Sequence, residues 1–266
     1  MRKWPVLIVV LIMGLVLAGC GNSGGKTAGT STGGNEAGKQ EVIKVAADTT
    51  FPPFEMEVNG KVTGFDIDLI NAIAAKENLK VQMQTMDFQG LIPALQTDTV
   101  DVAVAGITIT PQRAQMVNFS NPYYHSGLSI LVKKDSNIKG VSDLKGKTVA
   151  VKLGTTGDIM MSKMPGVNVK RFNNIDDAYN ELQNGGAQAV LFDNPVNQNY
   201  INTGHNNVKV VGGLLTGEDY GIAVTKQKPE LLKKINDGLA RLMASGEYEQ
   251  LYRKYFKSDD SGLIKK

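Results

Sequence analysis

Cysteine is nearly absent from this sequence: Cys20 is the single one among 266 residues. That excludes an internal disulfide, so the folded part must be held by its core. Histidine is scarce as well. His125 and His205 stand in no spaced cluster with the cysteine or with a carboxylate motif, so no transition-metal site is expected. Charge of one sign is also lacking. Formal net charge is +3 from 29 basic and 26 acidic side chains, and without Arg2 and Lys3 it is 27 against 26. That balance excludes the electrostatic footprint of a nucleic-acid binder. The apolar run at residues 6–18 falls short of the roughly 20 residues that span a bilayer, and it has no stop-transfer flank. Catalytic signatures are missing too: there is no GxSxG or HExxH, and no strand-to-helix GxGxxG. Gly154-Thr155-Thr156-Gly157 lacks the lysine and spacing of a phosphate-binding loop. Neither a cofactor nor an enzymatic activity is expected.

What is present begins with a processing signal. Arg2 and Lys3 precede the apolar run, and small residues precede Cys20, which is the pattern of an export leader over residues 1–19. Leu17-Ala18-Gly19-Cys20 resembles the bacterial lipobox, whose cysteine becomes the lipidated first residue of the mature chain. Residues 20–41 are then expected to be a flexible tether, because from Gly21 to Lys39 no large apolar residue occurs. The implied location is the outer face of the cell membrane, held there by lipid alone.

The body that follows reads as alternating strands and helices. Residues 42–47 are a strand ending at Asp48 and Phe51. Ile67, Ile70, Ile73 and Ala74 mark a helix, and residues 79–83 alternate as a strand. Asp87 is placed to cap a helix with the apolar face Phe88, Leu91, Ile92 and Leu95. A second series follows: strands at 128–132, 148–152, 187–192, 208–211 and 220–224, a helix through Ile175, Ala178, Tyr179 and Leu182, and a long helical region over 229–256. Asp48, Lys152 and Asp193 each fall at a strand end. In open α/β sheets, ligands bind at that edge. Phe51, Phe88 and Phe192 could wall such a cleft.

The most informative stretch is Ala105-Gly106-Ile107-Thr108-Ile109-Thr110-Pro111-Gln112-Arg113. Residues 100–105 read as a buried strand, and Gly106 frees the backbone to turn. Thr110 and Pro111 are the preferred cap and first residue of a helix. Arg113 then sits in the first turn, where a cation opposes the helix dipole by ~0.3 to 1 kcal/mol. A guanidinium beside free backbone N–H groups grips a carboxylate, while the Gly106 carbonyl and Thr108 hydroxyl can accept from an ammonium. Together these groups suit an α-amino acid; a plain surface arginine is the alternative.

Residues 42–256 resemble bacterial solute-binding proteins for polar amino acids, most closely the glutamine-binding proteins of ABC importers. The resemblance is carried by Asp48-Thr49-Thr50-Phe51 with Pro53-Phe54-Glu55, by Gly64-Phe65-Asp66-Ile67-Asp68-Leu69, and by residues 86–95. Further matches are Ala105 to Thr110 with Arg113, Phe119-Ser120, Tyr123-Tyr124, Val149-Ala150-Val151-Lys152, Asn174-Ile175-Asp176 and Asp193. It implies an α/β, two-lobed, periplasmic-binding-protein-like fold of type II, each lobe a mainly parallel sheet flanked by helices, with two hinge crossings. Lobe 1 would comprise 42–123 and 221–258, lobe 2 128–215, and the hinge 124–127 and 216–220.

In such proteins the α-carboxylate meets Arg113, the Thr108 N–H and the Thr156 N–H. The ammonium meets the Gly106 carbonyl, the Thr108 hydroxyl and Asp193. Phe51 and Phe88 sandwich the side chain, and Asp48 and Lys152 address the glutamine amide. Two positions depart from the enteric glutamine-binding pattern: Phe192 replaces a histidine and Thr156 a glycine, and binders of basic amino acids also carry threonine there. The expectation is therefore a monomeric, membrane-tethered receptor that closes on L-glutamine and delivers it to a permease. A binder of arginine, lysine or histidine is the alternative within the class, and an exported dehydratase-like enzyme the alternative from another class.

Overall fold

The computed structural model describes residues 40–265. The expected leader, the lipobox cysteine Cys20 and all but the end of the expected tether lie outside the described residues. Glu41, placed in the tether from the sequence, already belongs to the first strand.

The chain opens with β1 (Glu41–Ala47), whose Ile43, Val45 and Ala47 are buried. Three short strands follow as an antiparallel unit, β2 (Thr50–Phe51), β3 (Glu55–Val58) and β4 (Lys61–Thr63). They lead into α1 (Phe65–Lys76), which packs Ile67, Ile70, Ile73 and Ala74 inward, the 3.6-residue periodicity seen in the sequence. Next come β5 (Leu79–Thr85), α2 (Phe88–Gln96), β6 (Val102–Ala103), α3 (Pro111–Met116) and β7 (Asn118–Phe119). The second series is β8 (Tyr124–Ser126), β9 (Leu128–Lys133), β10 (Thr148–Lys152), α4 (Thr156–Ser162), β11 (Asn168–Phe172), α5 (Ile175–Gln183), β12 (Ala189–Asp193), α6 (Asn194–Asn202) and β13 (Val208–Val211). The chain then returns through β14 (Glu218–Tyr220) and β15 (Ala223–Val224) to α7 (Pro229–Ser245) and α8 (Glu247–Phe256).

These elements form two lobes, each around one five-stranded sheet, in the orders β5-β1-β6-β15-β7 and β11-β10-β12-β9-β13. Three neighbouring strands in each sheet run parallel, joined by helical crossovers, and the other two are added by antiparallel pairing, so that only β15 and β9 run against the rest. The chain passes between the sheets twice, through β8 and β14, and these two strands pair antiparallel with Tyr124 opposite Tyr220.

Several sequence readings need correction in detail. The strand expected at 100–105 is formally two residues long, although Asp101 N–H and Val104 N–H still bond to β1 carbonyls. Residues 220–224 are two elements: Tyr220 ends the inter-lobe strand, and Ala223–Val224 joins the first sheet. The C-terminal helical region breaks at Gly246, whose φ of 81° suits glycine and ends α7 in a left-handed cap. Asp87 occupies the N-cap of α2 but makes no capping bond with its side chain. Asp48 supplies that bond from β1 instead, its Oδ2 accepting from Phe88 N–H at 3.0 Å.

Candidate ligand-binding site

The carboxyl ends of β1, β10 and β12 deliver Asp48, Lys152 and Asp193 to the seam between the lobes, each at most 4% exposed. The segment after β6 completes the wall. Gly106 has φ +51°, and a Cβ there would overlap the Phe51 ring. Its N–H donates to Asp66 Oδ2 at 2.8 Å, and the same oxygen accepts from Tyr123 Oη at 2.7 Å. Thr108 is braced by bridging to Tyr220, with Ile109 N–H donating to the Asp219 carbonyl. Thr110 caps α3 as the sequence predicts, its hydroxyl accepting from Arg113 N–H at 3.2 Å.

Arg113 is buried and reaches across the seam. Its Nη1 donates to the Thr108 carbonyl at 2.9 Å and its Nη2 to the Gly154 carbonyl of the second lobe at 3.1 Å. Its guanidinium lies 5.3 Å from the centre of the Phe88 ring, within cation–π range. Two of its five N–H donors are engaged in this way, so the fork can still take a carboxylate. On the facing lobe, Thr155 caps α4 by accepting from Asp158 N–H at 3.3 Å, which leaves the N-terminus of that helix, at Thr156, pointing at the seam.

Lys152 is 1% exposed and held by three acceptors of the first lobe: Asp48 Oδ1 at 2.9 Å, Thr50 Oγ1 at 2.7 Å and the Thr50 carbonyl at 3.2 Å. Asp48 is equally engaged, because its Oδ1 also accepts from Thr50 N–H at 2.7 Å and the Thr50 hydroxyl at 2.8 Å. Asp193 accepts a short hydrogen bond from Tyr220 Oη, which is in turn bonded to Ser126 Oγ at 2.7 Å. Burial, followed by the negative charge of Glu218, raises the Asp193 carboxyl to about 7; the Tyr220 hydroxyl and Arg113 oppose the rise. Burial also lowers Arg113 from its ordinary value, against the pull of Asp193 and Glu218.

Eight of the nine residues expected to meet a ligand line one cavity: Phe51, Phe88, Gly106, Thr108, Arg113, Lys152, Thr156 and Asp193. The ninth, Asp48, lies behind Lys152 and does not line it. Thr155 and Phe192 complete the lining, with the Phe192 ring edge-on to Phe51 at 5.4 Å. As the side chains stand, the cavity has a volume of about 10 Å³, room for no more than a single water. Phe88 lies beneath Arg113 and lines the same cavity as Phe51. Sequence reasoning missed Tyr220, which looked like part of an apolar run, and Glu218, an acid beside Asp219 in a stretch that carries no motif.

A two-lobed α/β body with a polar, aromatic-walled cavity between its sheets can be set beside known proteins. The sequence pattern of the bacterial extracellular solute-binding proteins, family 3, matches residues 43–258. The chain belongs to that family. Among its relatives is a probable histidine-binding protein of Neisseria gonorrhoeae, 35% identical over 100% of this chain and 99% of the relative. An ABC transporter glutamine-binding protein of Bacillus subtilis (strain 168) is 34% identical over 97% of this chain and 99% of its own length. Among solved structures, an ancestral arginine-binding protein bound to glutamine superimposes with a TM-score of 0.78 and 46% identity, covering 82% of this chain and 98% of the other. The corresponding structure bound to arginine has the same TM-score at 45% identity. The family 3 fold is of type II, with two inter-lobe crossings as the resemblance implied.

Proposed function

We propose that this family 3 protein is the extracytoplasmic receptor of an ABC amino-acid importer and that its ligand is L-glutamine. Arg113 and the N–H groups of Thr108 and Thr156 would take the α-carboxylate, and the Gly106 carbonyl, the Thr108 hydroxyl and Asp193 the ammonium. Relatives named for histidine, arginine and glutamine binding support the amino-acid class. The observation that carries the choice of glutamine is the burial of Lys152 at the side-chain end, pinned by Asp48 and both polar groups of Thr50. So held, it does not swing into solvent. A second unit positive charge at 4 Å from it is opposed by on the order of 4 kcal/mol at an effective dielectric of 20, of which Asp48, paired with the lysine, offsets a part. An uncharged amide avoids that cost. Its oxygen would replace the Thr50 carbonyl, the longest of the three Lys152 contacts.

Arginine is the second reading. Thr156 and the Phe192 ring in the lining favour it, since an aromatic face attracts a guanidinium, and a related ancestral protein has been solved with either ligand. Calorimetric titration with glutamine, arginine and lysine separates the two. Glutamine should bind most tightly, and Lys152→Ala should shift preference toward the basic ligands. Arginine bound at least tenfold more tightly than glutamine by the wild type would overturn the glutamine assignment. The Cys20 anchor belongs to the same proposal, and release of a Cys20→Ala protein from membranes tests it.

A further inference from the structure

Glu218 belongs to none of the roles assigned above, yet it occupies a singular place. It sits on β14, one of the two strands that cross between the lobes. Its Oε2 accepts from the Thr108 hydroxyl of the first lobe at 2.7 Å and from the Thr156 hydroxyl of the second at 3.0 Å. Its Oε1 accepts from the Thr216 hydroxyl at 3.1 Å, which aims the carboxylate from its own segment. Thr216 Oγ1 in turn accepts from Leu128 N–H at 2.9 Å, where the other crossing enters the second sheet.

We propose that Glu218 is a positioning residue that couples the two lobes, drawing the Thr108 and Thr156 hydroxyls onto one carboxylate and thereby setting the spacing of the backbone N–H groups that receive the ligand's α-carboxylate. The ligand part of this statement rests on the receptor reading; the coupling of the lobes does not. Charge-assisted bonds from hydroxyls to a carboxylate are roughly twice as strong as neutral ones, so a half-buried acid suits this task better than an amide. The acid has a second effect. Its charge is the largest influence after burial that raises Asp193, with Arg113 and Tyr220 acting the other way, so Glu218 also governs the pH at which the ammonium partner ionises.

The test combines calorimetry with L-glutamine and L-arginine and small-angle scattering on the wild type, Glu218→Gln, Glu218→Ala, Thr156→Val and the Glu218→Ala/Thr156→Val double variant. Glu218→Ala should weaken the preferred ligand at least tenfold. Glu218→Gln, which keeps an acceptor, should stay within threefold at pH 8 and move the acid limb of the affinity profile to lower pH. Because the two side chains act through one bond, the double variant should bind no more than threefold worse than the weaker single variant. Binding by Glu218→Ala within threefold of wild type, or losses that multiply in the double variant, would overturn the proposal. If the wild type binds neither these two nor lysine or histidine, the receptor reading fails and the coupling is judged without ligand. Glu218→Ala must then show a larger radius of gyration than wild type and Glu218→Gln, and equal radii overturn it.

Discussion

Asp193 sits between Tyr220, Arg113 and Glu218, raised to about 7 chiefly by burial. An ammonium ligand favours the ionised form, so binding draws the proton off. Affinity is then fully present above about pH 7 and falls as pH drops through that value, by up to tenfold per unit. Titrations at pH 5.5 and 8.5 in buffers of different ionisation enthalpy should show both the loss and the released proton; a flat profile would count against Asp193 as the ammonium partner. Behind Gly106, Glu55 and Asp66 make a buried acidic pair with three oxygens, Glu55 Oε1 and Oε2 and Asp66 Oδ1, lacking a hydrogen-bond partner. Burial raises both carboxyls, Asp66 to about 6 and Glu55 well above its ordinary value. Raised carboxyls contribute stability that is complete below about pH 4 and is lost as pH rises through the folded values. For Asp66 alone the shift amounts to about 3 kcal/mol. Glu55→Gln should therefore flatten the fall in Tm between pH 5 and pH 8, as read by thermal denaturation. Gly106→Ala places a methyl against Phe51 at a positive φ, and should weaken ligand binding at least tenfold in calorimetry while the far-ultraviolet dichroism stays native.

At the scale of elements, the short helix α3 owes its start to Thr110 and Pro111 and its use to Arg113. Thr110→Ala removes one capping bond and should cost about 1 kcal/mol in denaturant unfolding, with a loss of affinity of only a few fold because the guanidinium keeps its Thr108 and Gly154 acceptors. A loss as large as that of Arg113→Ala would mean that the cap, and not the guanidinium, sets the site. The residues after α8 also have a place. His125 N–H, on β8, donates to the Gly262 carbonyl at 3.0 Å, and Gly262 lies against the Tyr124 ring where no Cβ fits. Residues beyond 258, the expected end of lobe 1, thus pack on an inter-lobe strand.

For the whole molecule, the seam is tied by Lys152 to Asp48, Arg113 to Gly154, and Asn173 Nδ2 to Asp87 Oδ2 at 3.0 Å, each pair joining the two lobes. Ligand captured inside such a seam stabilises only the closed body. At 100 times its dissociation constant, glutamine should raise unfolding stability by ~2.7 kcal/mol, and scattering should show a smaller radius with ligand than without. A stabilisation of that size with no change in radius would place the ligand on one lobe and refute closure.

The helices and longer strands were legible in the sequence, because their signal is a periodicity confined to a few turns: Ile67 to Ala74 in α1, and Ile175 to Leu182 in α5. The cap at Thr110-Pro111 and the strand-end placing of Asp48, Lys152 and Asp193 were legible for the same local reason. The family resemblance added which of these residues belong to one site. Strands β2 to β4, of two to four residues, are too short to carry a period. The partners were decided only by tertiary structure. Asp48 caps a helix forty residues away and holds a lysine 104 residues away, and Glu218 joins hydroxyls 110 and 62 residues away. A residue's chemistry is set by its sequence, but which groups surround it, and so its charge state and its role, depends on which distant segments the two sheets bring to the same seam.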